Sequence, residues 1–293
     1  MQTSEFLNQQ PTSNRVKYFI ISLLGSVAIT LLFSMNLMAQ GNLMVFPRRV
    51  VFEGIKRSQD LNIANTGTDT ARYNISAVQF RMKENGEFEE ITQPDSGEYF
   101  ADKYIRFFPR TVVLPPNAAQ VVKIQLMKAK DMLPGEYRSH LYFRAVPPEK
   151  PLGEKEAPKD TTSISIKIIP IFGITIPVII RVGESTAKVN ISDVSFEMVN
   201  DTIPTLKMAF NRTGNMSVYG EIAIEHISPQ GKVTQLSSIQ GMAVYTPIPV
   251  RRFKVDLDKS LGIDYHRGKI HIVYTSQSTA QPEKLAEANL LLH

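Results

Sequence analysis

Short apolar runs, separated by turn-forming residues, fill the chain from Leu43 onward. Tyr73–Val78 and Val121–Met127 largely alternate apolar with polar side chains, and Asn65-Thr66-Gly67 and Pro134-Gly135 mark turns between such runs. Alternation with a period of two is typical of a half-buried β-strand, whereas an amphipathic helix repeats roughly every three to four residues. Closely spaced strands with turns between them predict antiparallel β-sandwiches and argue against βαβ units and the nucleotide sites that they carry.

The length of the chain and a second series of apolar runs predict two domains. At roughly 100–200 residues per domain, a chain of 293 residues predicts two domains. Residues 147–162 are rich in proline and charge, and a single leucine is their only sizeable apolar side chain, so they are predicted to form a mobile loop. A second series of apolar runs begins after Gly183. We therefore expect one domain at 41–182 and a second at 183–293.

The most apolar stretch beyond the N-terminal region is Ser163–Val182, with the sequence SISIKIIPIFGITIPVIIRV. Its length would suit a membrane span, but charged residues and prolines interrupt it, and its many β-branched side chains favour a strand. It is therefore predicted to form one long strand, or two strands with a kink near Pro170 and Gly173.

Residues 1–40 have the layout of an export signal. The basic residues Arg15 and Lys17 precede Tyr18–Met38, which carries no charge, and the run closes on Ala39-Gln40-Gly41. A basic region, an apolar core and a small-residue end are the parts of a cleavable signal peptide, so we expect export across a membrane. The apolar run, at about 20 residues, is also long enough to remain in a bilayer as an uncleaved anchor. Both interpretations stay open on the sequence.

The composition excludes several kinds of active site. The chain has no cysteine, so it holds no thiolate metal site, catalytic thiol or disulfide, and its five histidines are too scattered to predict a metal site. No nucleotide-binding, zinc-protease or nucleophile-elbow motif occurs in it. Acidic residues interleave with the aromatic residues between 80 and 108, which disfavours nucleic acid. We therefore expect no enzymatic activity, cofactor, metal, nucleic-acid partner or small-molecule substrate.

Four segments follow one another along the first predicted domain. They are FPRRVVFEG at 46–54, LNIANTG at 61–67, YIRFFPRTVVLPPNAAQVVKI at 104–124 and GEYRSHLYFRAVPP at 135–148. Together they resemble the N-terminal domain of the periplasmic pilus-assembly chaperones, the PapD-like family, from end to end. After residue 183 the resemblance is weaker and depends on IIRVG at 179–183 and IDYHRG at 263–268. It implies an all-β fold of two immunoglobulin-like antiparallel β-sandwich domains joined at an angle.

The resemblance also implies a function. Family chaperones hold an unfinished pilin, an immunoglobulin-like domain that lacks its last strand, by lending it a strand of their own. An extended strand with large side chains on one face pairs with the open sheet edge and fills the cleft beside it. The implied partner is a pilin-like subunit that is delivered for assembly at the outer membrane, where an usher is a further candidate partner.

The donor strand is expected at 163–181. Isoleucines alternate with polar residues at its start, and the resemblance extends their row by two further side chains; the row is Ile164, Ile166, Ile168, Phe172 and Ile174. The competing interpretation is that these side chains face the protein's own core, because alternation is typical of any half-buried strand.

A carboxylate anchor is the first charged site that the resemblance implies. The family binds the C-terminal carboxylate of the subunit with an arginine on the first strand and a lysine on the last. Arg49 matches the arginine, and a guanidinium suits a carboxylate. Pro177 occupies the position of the lysine and has no donor to offer, so Arg48 and Lys167 are candidates to replace it. The competing interpretation of Arg49 is a solvent-facing charge on an edge strand.

An interdomain ion network is the second implied site. Glu136, Arg181 and Asp264 match the three family positions, and an arginine between two carboxylates can fix the geometry of a domain junction. The competing interpretation is three unrelated surface charges. For the chain as a whole, the alternative function is a membrane-anchored immunoglobulin-like structural or adhesion module, held through Tyr18–Met38 and without a pilin client.

Overall fold

The computed structural model describes residues 43–127, 132–147, 171–277 and 282–293, which form strands joined by turns and short loops. The first strands are β1 Leu43–Phe46, β2 Val50–Phe52, β3 Ser58–Asn65, β4 Ala71–Val78, β5 Phe80–Met82, β6 Phe88–Glu90, β7 Ile105–Phe108, β8 Thr111–Leu114, β9 Ala119–Leu126, β10 Gly135–Val146 and β11 Gly173–Val182. The later strands are β12 Lys188–Val199, β13 Ile203–Thr213, β14 Val218–Ile227, β15 Val233–Val244, β16 Val250–Asp256, β17 Lys269–Ser276 and β18 Lys284–Leu291. Within these ranges the helical segments are two short 3-10 turns, Asp102–Tyr104 and Lys259–Leu261. The predicted all-β fold is confirmed.

The first sandwich has a four-stranded sheet in the order β1-β3-β9-β7 and a five-stranded sheet in the order β2-β11-β10-β4-β8. Its strand pairs are antiparallel, except that β2 runs parallel to β11. Leu61 and Ile63 on β3 and Val122 and Ile124 on β9 are fully buried between the sheets. Burial therefore follows the period of two that the sequence shows.

The second sandwich packs the sheet β12-β13-β16 against the sheet β15-β14-β17-β18. Ile222 and Ile224 on β14 and Ile270 and Ile272 on β17 are fully buried in its core. The buried residues of this core are separate from those of the first sandwich. Two sandwiches with two cores are therefore present, as predicted.

A third, smaller apolar cluster joins the two sandwiches. Met82 at the end of β5 and Ile179 on β11 pack with Ala243 and Tyr245 at the end of β15. With such contacts, the described residues of the range Gly41–His293 form one compact unit. The boundary predicted at 182/183 separates the two cores, and a division into independent domains stays a prediction.

Three predictions fall outside the described residues. These are the export signal at 1–40, the mobile loop at 147–162 except for Pro147, and the donor-strand isoleucines Ile164, Ile166 and Ile168. In the ranges that are described, no helix has both the length and the apolar character needed to cross a membrane.

Candidate binding face on the first sandwich

One edge of β11 is partly open. β11 pairs with β10 along its whole length, from Gly173 to Val182. On its other side β2 pairs only with Val178–Ile180. Along Gly173–Pro177, therefore, no described strand covers this edge. An uncovered edge presents unpaired backbone N–H and C=O groups and can accept another strand.

The position of Pro177 is compatible with this edge. The N–H of Ala145 on β10 donates to the carbonyl oxygen of Phe172 over 2.9 Å. Because backbone groups alternate in direction along a strand, even-numbered residues here bond to β10, and odd-numbered residues direct their backbone groups to the open edge. Pro177 thus lacks an N–H on the open side, where proline is tolerated, and the pairing with β10 is intact.

The side chains of β11 also alternate between two faces. Ile176, Val178 and Ile180 are buried in the core of the first sandwich, and Ile174 is partly buried against that same core. Phe172 lies just before β11 and is 53% exposed. The structure thus separates the two described members of the predicted row: Phe172 is open to a partner, whereas Ile174 contributes to its own core, as the competing interpretation allows.

Arg49 is an arginine without a counter-ion among the described residues. It lies in the short connection between β1 and β2 and is half-buried. Its Nε and Nη1 atoms are shielded from solvent and have no hydrogen-bond partner. Its guanidinium instead lies over the ring of Tyr219, 4.1 Å from the ring centre. No described carboxylate therefore neutralises this half-buried cation, and such a cation attracts an incoming carboxylate.

Arg49 and Pro177 are neighbours. Val50 pairs with Val178 in the parallel register of β2 and β11, so the residue before each lies beside the other. This places the arginine next to the position where the family resemblance has a lysine. Of the two candidates to replace that lysine, Arg48 is exposed, and Lys167 lies outside the described residues.

His140 lies opposite Pro177 on β10, and it supplies no charge in place of the lysine. Its ring makes edge contacts with Phe80 and Phe88, at 5.2 and 5.8 Å between ring centres. Burial, with a smaller contribution from the nearby Arg138 charge, lowers the pKa of His140 to about 3. The imidazole is therefore neutral at physiological pH.

Arg138 and Glu98 form a buried ion pair that the sequence reasoning missed. Arg138 Nη2 lies 3.1 Å from Glu98 Oε1, and the side chains are 2% and 3% exposed. Arg138 also donates to the carbonyl oxygen of Thr246 in the second sandwich over 3.0 Å and lies over the Tyr245 ring. Burial lowers the pKa of Arg138 and raises the pKa of Glu98. Because Glu98 occupies its guanidinium, Arg138 is not a free cation for a partner.

The structure brings Glu136 and Arg181 together. Arg181 Nε lies 3.2 Å from Glu136 Oε2, and the carboxylate of Glu136 is fully buried. Arg181 also pairs with Glu53 over 2.9 Å and donates to the backbone carbonyl of Ser217 over 3.0 Å. The Ser217 hydroxyl donates to Glu136 over 2.6 Å. Glu53 and Ser217 therefore belong to this network, and the sequence reasoning omitted both.

Asp264 is not part of this network, which corrects the prediction. Its carboxylate accepts a hydrogen bond from the backbone N–H of His266 over 3.0 Å and lies 3.8 Å from Arg267. A short aspartate side chain that bonds to the backbone two residues ahead is held within its own turn. The link to the second sandwich is instead made through the hydroxyl and backbone of Ser217.

No protein-family model matches the chain, and no curated protein matches it. Among solved structures, it is similar to the chaperone–tip subunit complex CsuC–CsuE of the archaic Csu pili of Acinetobacter baumannii, with 10% identity, 83% of this chain and 98% of that chain covered, and a TM-score of 0.43. It is similar to the CupB2 chaperone of Pseudomonas aeruginosa, with 13% identity, 85% and 100% covered, and a TM-score of 0.40. It is similar to the Escherichia coli chaperone DraB, with 10% identity, 86% and 97% covered, and a TM-score of 0.41. Because these identities and TM-scores are low, the case for a function depends on the residues of this chain.

Proposed function

We propose that this protein is a periplasmic chaperone that binds incomplete pilin-like subunits by donating a strand and delivers them for assembly, without covalent chemistry. The observation that carries the proposal is the open edge of β11 at Gly173–Pro177, which ends beside the unpaired guanidinium of Arg49. An open edge supplies main-chain pairing, and a cation at its end supplies a fixed stop for one strand terminus.

The position of Arg49 favours one direction for the incoming strand. β2 occupies the same edge of β11 from Val178 onward and runs parallel to it. A subunit strand on Gly173–Pro177 would therefore lie in line with β2 and end where Arg49 begins. If it runs parallel to β11, its C-terminus reaches the guanidinium, and the terminal carboxylate is the group that a cation stabilises. Strand donation with parallel pairing therefore uses both the open edge of β11 and the Arg49 guanidinium.

The apolar side chains that this protein donates would be those of the donor strand that do not pack in the core of the first sandwich. Phe172 lies just before β11 and is 53% exposed, whereas Ile174 and Ile176 pack inward. Ile164, Ile166 and Ile168 precede Phe172 and alternate with polar residues. We propose that Ile164, Ile166, Ile168 and Phe172 fill the cleft of the subunit, and that Ile174 does not.

The network of Glu136, Arg181 and Ser217 would hold the two sandwiches in the arrangement that a subunit meets. It links β10 and β11 of the first sandwich to the segment just before β14 of the second. Because the Glu136 carboxylate is fully buried, a change of arrangement would leave a buried charge without its partners.

The test is capture of a subunit from the periplasm of the native host by the tagged, full-length chain, with bound proteins identified by mass spectrometry. We expect a β-rich subunit that lacks one strand. Arg49→Ala and Phe172→Asp should abolish its capture, while Ile55→Asp should retain it, because Ile55 is 94% exposed in the turn that follows β2, past the end of β2 opposite to Arg49. If both Arg49→Ala and Phe172→Asp retained full capture of the subunit, the proposal would be overturned.

N-terminal sequencing of the exported protein addresses the alternative function. A mature start near Gly41 agrees with a soluble chaperone. An intact N-terminus, together with no captured subunit, would instead support an anchored immunoglobulin-like module.

A further inference from the structure

Arg49 reaches across from the first sandwich to an aromatic ring of the second. Its guanidinium carbon lies 4.1 Å from the ring centre of Tyr219 on β14 and 5.9 Å from that of Tyr245. A guanidinium within about 6 Å of a ring centre is attracted by the negative face of the ring, and more strongly where water is excluded. The Tyr219 contact is much the closer of the two, and two of the Arg49 nitrogens are shielded from solvent there.

Local structure reserves space for the Tyr219 ring. The pairing of β14 with β15 shifts register between Gly220 and Ile222. On β15, Gly241 has a φ of +76°, and a Cβ atom at this position would lie 3.3 Å from the Tyr219 hydroxyl oxygen. A residue without a side chain therefore lies beside the tip of the ring. This arrangement lets Tyr219 present its face toward the first sandwich.

Arg49 differs from Arg138 and Arg181, which bond to carboxylates. Arg138 is paired with Glu98, and Arg181 is paired with Glu136 and Glu53. Carboxylates hold those two side chains in place, but among the described residues no carboxylate holds Arg49. A long arginine side chain that is free to move would lose conformational freedom on gripping a ligand, and a support that fixes it beforehand removes that cost.

The neighbour of Arg49 makes such a support necessary. Pro177 lies beside it and offers no donor, so a carboxylate at this place meets one guanidinium. We infer that Tyr219 is a positioning residue for Arg49: its ring face holds the guanidinium so that one arginine is enough to bind the C-terminal carboxylate of a subunit. This inference rests on the proposed function.

The first measurement needs no subunit. In the full protein labelled with ¹⁵N-arginine, the Nε–H signal of Arg49 is assigned by its absence in Arg49→Lys. A proton over a ring face is shifted upfield by the ring current. We expect Tyr219→Leu to move this signal downfield, and Tyr219→Phe to leave it in place because the ring is retained.

The second measurement uses a synthetic peptide of alternating valine and threonine with a free C-terminal carboxylate, and the same peptide with a C-terminal amide. We expect the wild-type protein to prefer the carboxylate about tenfold, as for one charge-assisted contact. Tyr219→Leu should lower this preference to about threefold or less, the loss of one partly shielded cation–π contact. Tyr219→Phe should keep it, and Arg49→Ala should abolish it. General damage to the fold would weaken both peptides alike and leave their ratio unchanged.

The peptide measurement separates the positioning role of Tyr219 from the proposed function. If Tyr219→Leu leaves the carboxylate preference at the wild-type value, the positioning role is overturned, whether or not the Nε–H signal moves, and the proposed function stands on the wild-type preference. If the wild-type protein binds both peptides equally or binds neither, the anchoring role of Arg49 and the proposed function are overturned together.

Discussion

The Glu136 carboxylate accepts hydrogen bonds from both the hydroxyl and the backbone N–H of Ser217, at 2.6 and 3.1 Å, and so joins the two sandwiches. The carboxylate is fully buried and also bonds to Arg181. A buried carboxylate needs all of its donors, because a lost donor leaves charge that water does not reach. The bond between Glu136 and Ser217 should therefore be a principal polar link between the sandwiches.

Ser217→Ala should lower the free energy of unfolding by about 1–3 kcal/mol, the usual cost of removing a donor from a buried charged acceptor. Ser238→Ala is the matched control, because the Ser238 hydroxyl donates to Glu221 over 2.7 Å on the exposed face of the second sandwich. The control should change stability by less than about 0.5 kcal/mol. Urea denaturation of the three proteins measures the difference, and equal effects of the two substitutions would contradict the role of Ser217.

His140 should make the protein less stable in mild acid. Its pKa falls from the ordinary 6.5 to about 3 in the folded protein because of burial. As the pH falls through this window, the unfolded chain takes up a proton that the folded protein does not, so stability is lost as the pH falls. At about pH 5 the loss should be about 2 kcal/mol relative to neutral pH.

The variant His140→Phe isolates this contribution, because a phenyl ring can keep the edge contacts with Phe80 and Phe88. The difference in unfolding free energy between about pH 7.5 and about pH 5 should shrink in this variant by about 2 kcal/mol. His266→Gln is the matched control for replacing a histidine, because His266 is exposed. The same pH dependence in His140→Phe and the wild-type protein would contradict the assignment.

The fold was largely predictable because burial follows a local pattern. Tyr73 and Ile75 alternate with polar residues on β4, and the structure buries both. Period-two alternation states which side chains share a face, and a sandwich is the arrangement that buries one such face of each sheet. It does not state which sheet edge is open. The edge of β11 is open because β2, which pairs along it, has three residues, whereas β11 has ten.

The candidate site was less predictable because it depends on pairing between distant strands. Arg138 and Glu98 are 40 residues apart, and in the sequence each resembles an ordinary surface charge. Only the register of β10 with β11, which places Arg138 opposite Ile179, brings it to the face that meets the second sandwich. The placement of Asp264 in the ion network was wrong because of a local contact. A hydrogen bond from the backbone N–H of His266 holds the Asp264 carboxylate within its own turn.

Two glycines test how closely the chain packs. A Cβ atom at Gly220 on β14 would lie 2.0 Å from the backbone oxygen of Thr275 on β17, whereas one at Gly173 would lie 2.2 Å from a ring carbon of Tyr142. Backbone in a paired strand cannot move aside, but a half-buried ring can rotate away. Gly220→Ala should therefore cost about 3 kcal/mol or more, and Gly173→Ala about 1 kcal/mol.

Thermal unfolding distinguishes these two cases when a second substitution is added. Tyr142→Ser should restore most of the stability lost in Gly173→Ala, because it removes the ring that the new Cβ atom meets. No substitution of the Thr275 side chain should rescue Gly220→Ala, because the clash is with backbone. If Gly173→Ala is the more damaging of the two, the mobility of the contacted atom does not control the cost.

The buried pair of Arg138 and Glu98 should show strong coupling between its two members. Their side chains are 2% and 3% exposed and 3.1 Å apart. Removing one member leaves an uncompensated buried charge, which typically costs about 3–5 kcal/mol, whereas replacing both by apolar residues of similar size is often close to neutral. Glu98→Leu alone should therefore destabilise the protein by about 3 kcal/mol or more, because Arg138 keeps its charge.

The double variant Arg138→Met with Glu98→Leu should regain most of this loss. Methionine can still lie against the Tyr245 ring, which the Arg138 guanidinium now covers at 4.5 Å. The bond from Arg138 to the Thr246 carbonyl oxygen disappears, so the regain should fall short of wild type by about 1 kcal/mol. A double-mutant cycle in urea measures the coupling free energy, and additive single effects would show that the pair is screened by water and does not act as a buried unit.

An exposed ion pair of the second sandwich provides the comparison for this cycle. Lys207 Nζ lies 2.7 Å from Glu197 Oε1, and the two side chains are 46% and 44% exposed. Water screens such a pair, so its coupling free energy should stay below about 1 kcal/mol. The distance alone would rank this pair above that of Arg138 and Glu98. A larger coupling for the buried pair, measured in the same urea series, would therefore show that burial and not distance sets its strength.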